Sequence, residues 1–207
     1  MQRRTCGRPV PQPMLALGFP VVLGVLIGVL VGGRLRSWNT TTFDYSLAAC
    51  CALAVQVAIF DPPLERIDIV MRFGPGLYVA SMLVVAAILF HNARSSTGVA
   101  RSLALGVATL GVVLNCLVVT ANGGYMPRAA VDGWPTVAQP SDAGRLVNVA
   151  PIVEDTRLVM LGDILPEPDW MPLRNILSVG DVLLAMALGS WAFLVTIGGR
   201  SDLRRAV

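Results

Sequence analysis

The chain has 207 residues, of which 55% are hydrophobic and only 14% charged, and its mean hydropathy is +0.67. A soluble domain carries a larger charged fraction, so composition argues against a soluble globular enzyme and for an integral membrane protein. The net charge of +3 comes with 16 basic residues, all arginine, and none of them form the long basic run that nucleic-acid binding would need.

A membrane-crossing helix needs roughly 20 mostly apolar residues to span about 30 Å of hydrocarbon. Five stretches qualify, 14–33, 43–60, 74–90, 102–120 and 182–198, and no charge interrupts their interiors. Residues 1–13 form a polar, proline-containing tail, and Met14 is an alternative start. Arg3, Arg4 and Arg8 before the first run resemble a signal peptide. The run is longer than a signal core, however, and Gly33-Arg34-Leu35-Arg36 offers no small-residue cleavage site, so the segment reads as a retained helix. Within it, Gly24, Gly28 and Gly32 make two overlapping GxxxG steps, which allow close approach of another backbone. That face predicts packing against a helix of the same chain or, alternatively, a homodimer or another membrane protein.

After the second run, Asp61-Pro62-Pro63 reads as a helix start with Asp61 as N-cap, and a short interfacial turn at 67–71 precedes Gly74-Pro75-Gly76. His91 and Asn92, beside Arg94, read as interface residues. Gln56 and Asn115 are the notable polar residues inside the runs, expected to bond to each other or to carbonyls. The interiors of the runs lack charged residues and the chain lacks two similar halves, both of which weigh against a secondary transporter. Cys6, Cys50, Cys51 and Cys116 form no CxxC pair and read as structural. No cofactor or metal ligand set is visible.

The fourth run stops at Asn122-Gly123-Gly124-Tyr125-Met126-Pro127. A glycine at C′ ends a helix and Pro127 prevents its resumption. The second glycine has two readings: packing against 158–183, or a nest of amides for an anionic group. Residues 131–143 are turn-rich, with Gly133, Pro135 and Pro140. Leu158, Leu161 and Leu165 have helical spacing and predict a short amphipathic helix at the membrane surface, with Trp134 and Trp170 in an interfacial belt.

Two Gly-Asp pairs follow. Ser178-x-x-Asp181 matches a capping box at the start of the fifth helix. Asp163 stands in an apolar stretch, where a buried charge needs a partner. Arg157 is the expected partner, with Arg128 and Arg174 on the same side. The sharper alternative is a metal or cationic ligand held by Asp163 and Asp181, although the absence of nearby histidine leaves zinc unsupported.

Five crossings would put Arg34, Arg36, Arg94, Arg101, Arg200, Arg204 and Arg205 on one side. The acid-rich 121–181 segment lies on the other, and Arg3, Arg4 and Arg8 oppose the trend. Positive-inside counting therefore predicts a cytoplasmic C-terminus and an external N-terminus and loop.

In order along the chain, Gly33-Arg34-Leu35, the 122–127 motif, Thr156-Arg157-Leu158 with Leu161-Gly162-Asp163, and Ser178-Val179-Gly180-Asp181 resemble the bacterial membrane family called domain of unknown function 5317. The resemblance runs from Met14 over nearly the whole chain. It implies a small multi-helix membrane protein and supplies no activity.

The expected architecture is all-α: four membrane helices within 14–120, an external segment 121–181 carrying a short amphipathic helix, a fifth helix at 182–198 and a basic tail at 199–207. The expected role is a non-catalytic protein of the bacterial cytoplasmic membrane, a scaffold or accessory subunit, or a binder of a small ligand or lipid at the outer face. Asn122, Gly123, Gly124, Asp163 and Asp181 are the candidate ligand-binding residues. Gly24, Gly28, Gly32, Arg157, Ser178 and Pro127 are the candidate structural ones. The alternatives are a transporter or channel component, if Gln56 and Asn115 line a water path, and last a membrane enzyme acting on a lipid-linked substrate. For the enzyme, Ser178, Asp163 and Asp181 show no nucleophile–base pair.

Overall fold

The structure, a computed structural model, describes residues 14–131, 137, 139–168 and 175–204, with side chains described between 18 and 198. The N-terminal tail, Trp134, Trp170 and Arg174 lie outside the described residues. The chain is mostly helical. Each apolar run forms one helix: α1 Met14–Leu30, α2 Ser46–Phe60, α3 Asp68–Ser95, α4 Val99–Ala121 and α5 Val179–Arg204. Three helices are long and apolar enough to cross a membrane, α3, α4 and Val179–Gly198 of α5; α1 and α2 are shorter apolar helices.

The helices pack in the order α2, α3, α4, α5, α1. The core lies among the three long ones, around Met82, Ala86, Leu105, Ala108, Val112, Val119 and Ala187. A Cβ at Gly24 would collide with the Gly189 carbonyl, and one at Gly28 would lie 2.7 Å from Thr196 Cβ, so these glycines set the α1–α5 approach within the chain. Gly32 does not continue that face. It follows the end of α1 with φ +90°, and Gly33 makes the third close contact, against the Thr196 carbonyl.

Two expectations about helix limits fail. α3 begins at Asp68, capped by Ile67, and runs through Gly74-Pro75-Gly76. Pro75 forfeits one helical hydrogen bond, but the 121–181 segment packs onto this turn, Leu146 on Gly74 and Gly124 on Pro75, and holds it. Asp61 caps the end of α2 instead of starting a helix. Its carbonyl accepts from the Glu65 N–H at 3.2 Å, and only a 3-10 turn, Leu64–Arg66, follows the prolines.

Among the described residues, the segment between α4 and α5 holds only two 3-10 turns, Pro140–Asp142 and Val159–Leu161, and short strands. Strands β1 Met126–Arg128 and β2 Val149–Pro151 pair in parallel, and β3 Leu165–Pro166 pairs antiparallel with β4 Ile176–Leu177. The predicted amphipathic helix at 158–165 is absent. Leu158 has φ +53°, Val159–Leu161 make one 3-10 turn, and the chain then extends. The backbone of Asp163 bonds to β1 on one side (Asp163 N–H to Pro127 at 2.8 Å, Ala129 N–H to Asp163 at 2.9 Å), and Ile164 bonds to Leu177 beyond it. These pairings satisfy the backbone better than one isolated helical turn and override the leucine spacing.

At the opposite end, the connector between α1 and α2 crosses the helix ends as a strap. Trp38 donates to Thr196 Oγ1 at 3.1 Å, and Trp38 and Phe43 both stack edge-on against Trp191.

Candidate functional site

The 122–127 motif builds a complete helix end. Asn122 is the C-cap, the Gly123 N–H donates to Thr120 at 3.3 Å, and the Gly124 N–H donates to Val119 at 2.8 Å, the two bonds of a Schellman motif. Both glycines have positive φ, +70° and +98°. Only Gly124 is also pressed by a neighbour, Pro75, so the second glycine serves close packing against α3. The two amides that would form a nest are thus occupied by helix carbonyls.

Asn122 does more than cap. Its side-chain amide donates to the carbonyls of Val118 and Arg157, and its Oδ1 accepts the Arg157 N–H at 2.9 Å. Arg157 therefore contributes its backbone to the site. The charge partner of Asp163 is Arg128, whose Nε and Nη2 reach Oδ2 at 3.2 and 3.1 Å, with Asn175 Oδ1 at 3.4 Å from the same guanidinium. This corrects the expected Asp163–Arg157 pair. The bridge between residues 128 and 163 places those side chains together, whereas Arg157, six residues away in sequence, sits on the far side of the 3-10 turn.

The capping box at α5 forms as predicted: the Ser178 N–H donates to Asp181 Oδ2 at 3.1 Å and the Asp181 N–H to Ser178 Oγ at 2.9 Å. Asn115 of α4 joins it, donating to Asp181 Oδ1 at 2.7 Å and accepting from Ser178 Oγ at 2.8 Å. Sequence reasoning noticed Asn115 but gave it the wrong partner. The two Gly-Asp pairs share one logic. A Cβ at Gly162 would meet the Pro127 carbonyl at 2.6 Å, and one at Gly180 would strike Asn115. Each glycine lets a strand or helix end lie against a neighbouring backbone, and the aspartate next to it reaches across.

A further tie was not foreseen. Glu65, only 1% exposed, accepts from Arg145 Nη1 at 2.7 Å and lies 3.5 Å from Arg66. Its carbonyl accepts the Leu146 N–H at 2.7 Å. An acid just after a Pro-Pro pair and an arginine 80 residues later give no signal in sequence.

The electrostatics centre on Asp163. Burial pushes its carboxyl up to about 7; Arg128 opposes this and the neighbouring Asp181 charge adds to it. Burial also raises Glu167, against a hydrogen bond from the Asn175 backbone. Glu167 Oε2 has no hydrogen-bond partner among the described residues. No three His, Cys, Asp or Glu side chains converge as a metal site among the described residues. Ser178 is fully buried, and its hydroxyl is engaged by Asn115 and the Asp181 amide.

These features define a mostly helical protein with three helices apolar enough to span a membrane, whose 121–181 segment is fastened to one end of the bundle by polar ties. The chain belongs to a family of unknown function, DUF5317, whose model matches residues 40–195. No curated protein and no solved structure matches it.

Proposed function

We propose that the chain is a non-catalytic protein of the bacterial cytoplasmic membrane, acting as a scaffold or accessory subunit. Its five helices cross the bilayer, with the N-terminus and the 121–181 segment outside and the C-terminus in the cytoplasm. One observation supports the role: polar pairs hold the 121–181 segment as a cap over one end of the bundle. Glu65–Arg145 ties it to the 3-10 turn before α3, Asn122–Arg157 ties it to the end of α4, and Asn115–Asp181–Ser178 joins α4 to the start of α5, while Arg128–Asp163 braces the segment internally. Groups arranged to satisfy one another hold a surface in shape, which suits presentation to a partner better than catalysis. Asn115 is committed to Ser178 and Asp181, which speaks against a water path shared with Gln56 and so against a transporter role. Native mass spectrometry of the protein gently extracted from its own membranes tests the role. A stoichiometric protein companion is expected. A monomer or homodimer carrying only lipid or a small molecule would replace the accessory role with ligand binding at the cap.

A further inference from the structure

At the end of the bundle opposite the cap, the strap, the end of α3 and the start of α4 enclose a polar cavity of about 90 Å³. Its wall carries an unusual set of groups. Thr40, Thr41 and Thr42 come from the strap, Ser95, Ser96 and Thr97 from the turn between α3 and α4, and Arg101 from α4. Some of these hydroxyls are already used: Thr40 and Thr41 donate to the Ser37 carbonyl, and Ser95 to that of His91. The hydroxyls of Thr42, Ser96 and Thr97 have no protein partner among the described residues.

Arg101 is held in place. Its Nη2 donates to the Leu194 carbonyl at 3.3 Å, and a Cβ at Gly198 would fall on the guanidinium, so glycine at 198 is what lets the group lie there. No carboxylate pairs with it among the described residues. The cavity also holds one acid. Asp44 is fixed by Asn92, which accepts its N–H at 2.8 Å and donates to its carbonyl at 3.0 Å, and its Oδ2 lies 3.2 Å from His91 Nε2. A fixed guanidinium with free hydroxyls matches the oxygens of a phosphate group, because charge-assisted and hydroxyl hydrogen bonds suit a tetrahedral oxyanion. A carboxylate in the same cavity disfavours a purely anionic ligand and suits an attached ammonium.

We propose that this cavity binds a zwitterionic phosphoester, its phosphate held by Arg101 and the hydroxyls of Thr42, Ser96 and Thr97, and its ammonium by Asp44. The same chemistry occurs in an ethanolamine phospholipid headgroup and in soluble phosphoethanolamine. Only the lipid source rests on the membrane reading of the chain, which membrane fractionation tests separately.

The test is native mass spectrometry of the full chain in dodecylmaltoside micelles. It is titrated with dioleoyl phosphatidylethanolamine, with the phosphatidylglycerol of the same chains, and with soluble phosphoethanolamine as competitor. The wild type is expected to retain one ethanolamine lipid in preference to the glycerol lipid. Arg101→Gln should weaken it by roughly tenfold or more, and Asp44→Asn should abolish the preference while leaving binding. Competition by soluble phosphoethanolamine assigns the site to a soluble ester, and failure to compete assigns it to the lipid. Arg101→Gln also loosens a tie to α5, so the paired change Thr42→Val and Thr97→Val, at exposed positions, must weaken binding as well. If that variant binds the ethanolamine lipid as tightly as the wild type, or if the wild type takes the glycerol lipid equally well, the proposal is overturned.

Discussion

Two asparagines solve the same problem at opposite ends of the molecule. Asn92 and Asn122 each donate to the carbonyl four residues earlier, and each clamps both the N–H and the C=O of one distant residue, Asp44 and Arg157 respectively. Side-chain amides carry a donor and an acceptor together, so a single asparagine can fasten a passing strand to a helix end. Asn122→Ala should therefore lower stability by about 2 kcal/mol, at ~1 kcal/mol for each lost bond to the 157 backbone, as read by thermal denaturation in micelles; an unchanged melting temperature would mean the clamp is idle. Asp163 gives a prediction in pH. Its folded-state value of about 7 lies above its ordinary value of 3.8, so the folded chain binds this proton more tightly than the unfolded one. The stabilisation is complete below about 4 and is lost as pH rises to 7, with a slope of at most about 1.4 kcal/mol per pH unit. Asp163→Asn cannot titrate, and in that variant the slope across this window should fall markedly, leaving the smaller contribution of the Glu167 carboxyl that burial also raises. A wild-type chain equally stable at pH 4.5 and 7.5 would contradict the burial argument.

At the scale of elements, glycine substitutions should separate close packing from chain flexibility. A Cβ at Gly24 collides with the α5 backbone, whereas one at Gly106, inside α4, meets nothing within 4 Å. Gly24→Ala should cost about 1–3 kcal/mol as α1 is pushed off α5. Gly106→Ala should be neutral or stabilising by up to about 1 kcal/mol, because glycine is the weaker helix former. Comparable melting temperatures for the two variants would refute the α1–α5 contact. The contrast also explains what the sequence makes legible. Runs of apolar residues define all five helices because a long apolar run without charges has few other stable states. Pro75 misleads because the packing that tolerates it, Leu146 and Gly124, lies some 50 to 70 residues further along the chain. The leucines at 158, 161 and 165 mislead because periodicity reports which residues are apolar and says nothing of a strand 35 residues earlier that offers its backbone. Within the site, the capping box is local and readable. The partners Arg128, Asn115 and Arg145 are set by which helix ends meet, and nothing in the spacing announces that.

The whole molecule is a row of helices in which α1 and α2, consecutive in sequence, occupy the two ends. That order makes the strap necessary, since it must carry the chain from α1 past α5 and α3 to α2, whereas α4 and α5 are neighbours and the cap joins them on one end of the bundle. Glu65 tests whether the cap is fastened as one piece. Its carboxylate is almost fully buried while Arg145 is half exposed, so the pair lies between a surface bridge worth under about 1 kcal/mol and a buried one worth several. A double-mutant cycle of Glu65→Gln and Arg145→Gln should return a coupling of about 1–2 kcal/mol. Hydrogen exchange then locates the loosening. If the four ties act independently, Glu65→Gln should speed exchange of the Leu146 amide, which donates to the Glu65 carbonyl, and leave that of Gly124 unchanged. If both amides exchange faster together, the cap opens as a unit and its rigidity is a cooperative property of the whole polar set.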